Sequence, residues 1–211
     1  MTGTRSIRKE QAALTAAALK QAARTVFARN GYLNTKITEI TTEAGRASGS
    51  FYNHFASKED LLVALLADIQ RGVDGRVDRH GEDHDLSDPA VLRAHVEVFY
   101  TTFRTFRPEM IALNQAAMVD PEFALQLQTM MAPERDVMIA HVQLLQEQGV
   151  DLPGPPALVA GAMIALMWQF AYEHVALESG LPDAEAIDLL TAFILRGIAG
   201  TVPASTTPTP T

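Results

Sequence analysis

The 211-residue chain contains no cysteine. That excludes a disulfide scaffold, a thiolate metal site and a cysteine nucleophile, and it suits a reducing, cytoplasmic setting. Long alternating runs of β-branched residues are missing too, so no half-buried sheet is expected. Nor is there an apolar run of membrane length. The most lipid-like stretch, 157–172, is sixteen residues long with Gln169 inside it, whereas a span needs about 20 apolar residues. A buried helix is expected there, and no membrane partner. The start, from Met1 to Lys9, is polar and basic, with no apolar run behind it to make a secretory leader. No nucleophile elbow or phosphate loop is present, and the six histidines lack metalloenzyme spacing. No enzyme, cofactor or metal site is therefore expected. The cluster His80, Glu82, Asp83, His84 and Asp85 reads as a solvated acidic loop, because no helical spacing orients these groups as ligands.

What is present is a polarised helical chain. Hydrophobic residues make up 47% and charged residues 20%, an ordinary globular balance. The net charge of −8 is unevenly spread. Residues 1–58 hold nine basic against three acidic side chains, a surplus of six, and residues 59–211 hold eight against 22, a deficit of fourteen. A basic head on an acidic body directs only the head toward phosphates. Along the chain the periodicity is helical. Leu19, Ala22, Ala23, Val26 and Phe27 share one face, and Gly31 stops that helix. A short second helix carries Ile37, Ile40 and Ala44 on one face, with Thr35 as its expected N-cap and Gly45 at its end. A third is expected from Ser48 to Phe55, with Phe51 and Phe55 four apart. Ser57 followed by Asp60 opens a fourth, whose apolar face is Leu61, Leu62, Leu65, Leu66 and Ile69. Further starts are expected at Asp88-Pro89 and Asp120-Pro121, with breaks at Pro108 and Pro133. Two strongly apolar helices, 157–178 and 183–199, follow a Gly/Pro loop. The Pro/Thr-rich stretch 203–211 has almost nothing to bury and reads as a disordered tail.

Two short helices joined at Ala44-Gly45-Arg46-Ala47 form a candidate helix-turn-helix. The second must enter a major groove about 12 Å wide, so one side needs core aromatics and the other small polar groups. Ser48, Gly49, Ser50, Tyr52, Asn53 and His54 supply the polar side, and Phe51 and Phe55 the anchor. The text from Ala22 to Leu62, AARTVFARNGYLNTKITEITTEAGRASGSFYNHFASKEDLL, resembles the TetR family of one-component regulators. The resemblance covers 41 of the 211 residues, and its force lies in the ordered combination rather than in any single piece. It implies an all-α protein: a three-helix N-terminal DNA-binding domain (1–58), a larger helical ligand-binding and dimerisation domain (59–202), and the tail. It also implies phosphate contacts from Tyr52, His54, Lys58 and the hydroxyl of Thr35, with Ser48, Ser50 and Asn53 facing the groove. Three positions depart from the family pattern. Arg46 stands where a small aliphatic is frequent, Ala47 where a capping Ser is frequent, and Ser48 where Lys or Arg is frequent. Ser48 is then the expected cap, and Arg46 the replacement charge.

The body is rich in large adaptable apolar groups, which suit varied apolar ligands. His95, Phe99 and Phe103 recur every four residues. Phe106, Met110, Met118, Met130, Met163, Met167, Trp168 and Phe170 are further candidates, and Asn114 and Ala117 are placed with Met118 on an expected inner face. Each of these residues taken singly also fits ordinary core. The family resemblance implies an effector cavity among them and a homodimer built from the last two helices. Gly161, Ala162 and Ala165 permit close approach, and Ile187, Leu190, Ile194 and Ile198 form a stripe; the same stripe also fits helices covering their own core. The resulting expectation is a repressor released from a palindromic double-stranded DNA operator by a small apolar effector. The alternative is an architectural or partner-binding DNA-binding protein that senses no ligand.

Overall fold

The computed structural model describes residues 3–77 and 85–199, with side chains described for 7–72 and 85–198. Most of the acidic cluster (His80 to His84) and the 203–211 tail lie outside the described residues. Every described element is helical: α1 (Gly3–Asn30), α2 (Ile37–Glu43), α3 (Ser48–Tyr52), α4 (Lys58–Val77), α5 (Pro89–Thr105), α6 (Arg107–Val119), α7 (Pro121–Met130), α8 (Ala132–Glu147), α9 (Pro156–Ala171) with a π-turn at Tyr172–Ala176, and α10 (Asp183–Ala199).

The stops and starts have local causes. Gly31 sits at φ 71° after α1 and Gly45 at φ 62° after α2, a left-handed conformation that glycine adopts without Cβ strain. After Gly45 the amide of Arg46 returns to the carbonyl of Thr41 at 2.8 Å, closing the end of α2. Ser57 accepts from the amide of Asp60 at 3.1 Å, while the Asp60 carboxylate accepts from the amide of Ala56 at 3.0 Å. Asp88 caps α5 through Ala90, and Asp120 caps α7 through Glu122 and Phe123. Pro108 and Pro133 each lie in the first turn of a new helix, where the missing N–H costs nothing.

One core runs through head and body. Leu19, Ala22, Ala23, Val26 and Phe27 of α1 are at most 4% exposed, as are the five expected apolar residues of α4. N-terminal to Leu19, α1 continues as alanine-rich helix that is exposed over residues 7–14. In the body α5 packs extensively on α10, where Arg93 pairs with Asp188 at 2.8 Å and Arg104 with Asp183. The helix α6 is the bridge. Its Glu109, 2% exposed, pairs with Arg24 of α1 at 2.5 Å. Its Gln115 accepts from the amide of Tyr32 at 3.1 Å. Arg107, at its start, donates to the Ala176 carbonyl at the end of the π-turn. The penultimate helix therefore ends earlier than the expected 178: α geometry stops at Ala171, and the π-turn carries the chain to Ala176.

Candidate nucleic-acid interface

The short helix α3 is held from behind. Phe51 is fully buried and Phe55 is 6% exposed, with ring centroids 5.6 Å apart. Ile40 of α2, also fully buried, belongs to the same core. With its back fixed, α3 turns its polar face outward. Arg46, Ser48, Gly49, Tyr52 and Asn53 are exposed, and Ser50 and His54 are half-buried. The Tyr52 ring packs edge-on against Phe51 at 5.5 Å, so its phenol stands on a rigid base. This is a protruding surface of hydroxyl, amide, imidazole and guanidinium donors, the chemistry that contacts phosphates and base edges.

Three expectations about this region need correction. α3 ends at Tyr52, not Phe55; the amides of His54 and Phe55 both return to the Phe51 carbonyl in a closing turn, which still brings Phe55 under the helix. Ser48 does not cap α3. Ala47 occupies the cap position, and no side chain caps there. Thr35 does not cap α2 either: Lys36 holds that position, and its amide donates to the Glu39 carboxylate at 2.8 Å. The Thr35 hydroxyl instead donates to the Gly31 carbonyl at 2.7 Å, and the residue is 4% exposed. A hydroxyl has one proton, so Thr35 closes the end of α1 rather than offering a donor outward.

Lys58 is engaged within the head. Its ammonium donates to the carbonyls of Tyr32 (2.8 Å) and Thr35 (3.0 Å) and sits 4.0 Å from the centroid of the Tyr32 ring. Burial pulls its pKa below the usual lysine value, opposed by Glu59. The Tyr32 phenol donates to Glu59; burial, reinforced by that hydrogen bond, pushes the phenol's own pKa upward. Lys58 is thus a clamp that ties the loop after α1 to the start of α4. No local pattern announces it, because its partners are backbone carbonyls 26 and 23 residues away.

Residues 19–65, which contain this helix-turn-helix, match the family "Bacterial regulatory proteins, tetR family". The chain is 24% identical to the HTH-type transcriptional regulator EthR of Mycolicibacterium smegmatis over 192 residues, 90% of this chain and 88% of that one. The HTH-type transcriptional repressor KstR2 of the same organism is 41% identical over 58 residues, 28% of each chain. The chain thus carries the N-terminal domain of the TetR family in residues 19–65. Its fold is shared with a TetR-family regulator from Syntrophomonas wolfei (TM-score 0.73, 19% identity, 90% of this chain and 97% of that one). It is shared equally with Bacillus subtilis FadR in complex with stearoyl-CoA (TM-score 0.73, 15% identity, 86% and 98%).

The body residues divide into an inner and an outer set. Phe103, Met110, Met163 and Met167 are buried, and His95, Phe99, Asn114, Ala117, Trp168 and Phe170 are half-buried. The Trp168 ring meets those of Phe103 and Phe99 at 5.3 and 6.4 Å, and His95 lies edge-on to His141 at 5.4 Å. Phe170 stacks instead on His174, 4.3 Å away. Met118 is 80% exposed and does not share the inner face with Asn114 and Ala117; at the last turn of α6 it has passed the bundle. The expected interface stripe is also corrected. Ile187, Leu190, Ile194 and Ile198 are 1–6% exposed and face the chain's own core. The outward face of α10 carries Leu189 (55%) and Phe193 (62%), and that of α9 carries Leu158, Gly161, Ala162 and Ala165.

Proposed function

We propose that this TetR-family regulator is a repressor that binds a palindromic double-stranded DNA operator as a homodimer and is released by a small apolar effector. The observation that carries the reading is α3: a polar face projecting from the basic head, with Phe51 and Phe55 buried behind it. Arg46, Ser48, Ser50, Tyr52, Asn53 and His54 make the DNA contacts in this reading. Lys58 and Thr35 act indirectly, by fixing the loop between α1 and α2. The division between head and body falls near residue 58, where α4 leaves the head.

The dimer forms through the outward faces of α9 and α10, with Phe193 and Leu189 as apolar anchors and Gly161 and Ala165 allowing close helix approach. Large exposed apolar side chains grouped on neighbouring helices favour association. The effector sits among α5, α6 and α9, against Phe99, Phe103, Trp168 and Met167. The relatives support this: one bears the name of a repressor, and a protein of the same fold was crystallised with stearoyl-CoA.

The test is selection of duplexes from a random-sequence pool. The expected result is two inverted half-sites with centres about one helical turn apart, roughly 34–36 Å. Asn53→Ala should then relax base preference at one position, a loss of about 1–3 kcal/mol. Binding without sequence preference would favour the architectural alternative instead.

A further inference from the structure

A surface cleft of about 440 Å³ opens where the start of α6 meets the segment joining α9 to α10. Arg104, Arg107 and His174 line it together with Glu178 and Asp183, and Val175 forms part of its wall. We propose that this cleft binds the phosphate group of a phosphate-bearing effector, with Arg104 and Arg107 as the anion's ligands and with Glu178 and Asp183 holding the two guanidinium forks when it is absent. The proposal rests on the reading of the chain as effector-responsive, and it names the chemistry of one end of that effector.

The geometry favours exchange of a carboxylate for a phosphate. Arg107 donates to Glu178 at 2.7 Å, and Arg104 donates to Asp183. Both carboxylates stand well into solvent, at 72% and 47% exposure, and exposed ion pairs contribute little. Phosphate engages guanidinium forks through parallel charge-assisted hydrogen bonds, and two adjacent forks match its several oxygens better than two separate carboxylates do.

Arg107 also stays in place when Glu178 departs, because its other terminal nitrogen donates to the Ala176 carbonyl at 2.6 Å. Arg104 is backed by the buried Tyr100 ring, 5.9 Å from its guanidinium carbon. The residue that would leave is the strained one: Glu178 has φ 53°, in the left-handed region that side chains disfavour. His174, held by Ser179 at 2.6 Å, supplies a third group at the rim.

The cleft is mechanically connected to the head. Arg107 is the first residue of α6, two positions before Glu109, whose buried pair with Arg24 ties α6 to α1. An anion drawn to Arg107 therefore acts on the joint between α6 and the π-turn, at the opposite end of α6 from Gln115 and its bond to Tyr32.

The experiment is calorimetric titration of the full chain with coenzyme A, stearoyl-CoA and dodecanol, with operator affinity measured separately. Coenzyme A and stearoyl-CoA should bind wild type. Arg107→Gln should weaken both by at least about tenfold, the loss of one charge-assisted contact, and leave dodecanol unaffected. Glu178→Gly, which removes the resident carboxylate and the backbone strain together, should tighten both several-fold. That gain cannot arise from a misfolded variant. Equal affinities in wild type and Arg107→Gln, no gain in Glu178→Gly, or no binding of either coenzyme A compound to wild type would each overturn the site. Should stearoyl-CoA bind with the Arg107 dependence yet leave operator affinity unchanged, the site stands and effector-controlled release falls. Should dodecanol release the operator while Arg107→Gln changes nothing, the release mechanism stands and the phosphate site falls.

Discussion

The head and the terminal helices fix their orientation to different degrees. In α3 every outward position is polar or glycine, and the two large aromatics on its back, Phe51 and Phe55, are buried. The side chains themselves announce the helix's rotation. In α9 both faces are apolar, and in α10 the outward face mixes Asp188 and Arg196 with Leu189 and Phe193. Ile194 is 3% exposed and its neighbour Phe193 is 62% exposed; the stripe that holds Ile194 fits a partner helix as well as the chain's own core, so spacing alone does not say what it faces. The difference teaches that an amphipathic helix encodes its own orientation, whereas a helix apolar all round receives it from its neighbours.

The largest effect should come from setting those two neighbours against each other. Ile194→Glu places an uncompensated charge in the core of the body and should lose more than about 4 kcal/mol of stability, seen as a collapsed urea midpoint. Phe193→Glu should leave the fold intact and convert the dimer to monomers in sedimentation. If Phe193→Glu still sediments as a dimer, the outward face of α10 is not the contact.

An intermediate effect sharpens the comparison within the head itself, between the clamp and the exposed face. Lys58→Ala removes two charge-assisted hydrogen bonds and should lower stability by about 1–3 kcal/mol, while leaving the salt dependence of operator binding unaltered. Arg46→Ala should do the reverse, keeping stability and reducing the salt slope by about one ion. A reduced slope in Lys58→Ala would return that lysine to the phosphate contacts.

Much of the fold was legible. Caps at Ser57, Asp88 and Asp120, the prolines at 108 and 133, and the glycines at 31 and 45 are local devices, and each acts where its chemistry predicts. The outward face of α3 was legible for the reason given above. Three things were not. The role of Thr35 turned on which of several backbone groups its one proton would reach. The inner and outer faces of α10 turned on the packing of α5 against it. The Arg24–Glu109 pair joins residues 85 positions apart, and no periodicity marks a partner so distant.

The smallest effect concerns acid. Burial alone would raise the Glu59 carboxyl, but the hydrogen bond from Tyr32, with help from Ser57 and Lys58, outweighs it and holds Glu59 below its ordinary value of 4.5. A carboxyl lowered in the folded state adds stability above pH 4.5, and that stability is lost as pH falls through the folded value. Tyr32→Phe should therefore flatten the fall of the urea midpoint between about pH 5 and 3 relative to wild type. An unchanged acid profile would mean that Glu59 does not depend on the phenol.

The exposed beginning of α1 carries a kinetic consequence. A free peptide of its length would barely form helix in water, because starting the first turn is unfavourable. Here the buried stretch from Leu19 onward is already wound, so the turns before it are extensions of an existing helix and need no nucleation. They should unwind one residue at a time from the Gly3 end, on the submicrosecond scale of helix–coil exchange. Far-ultraviolet dichroism would then slope gradually with temperature before the cooperative transition. Limited trypsin would find Arg5, Arg8 and Lys9 first, trimming the end of the rod while the domain behind it stays folded.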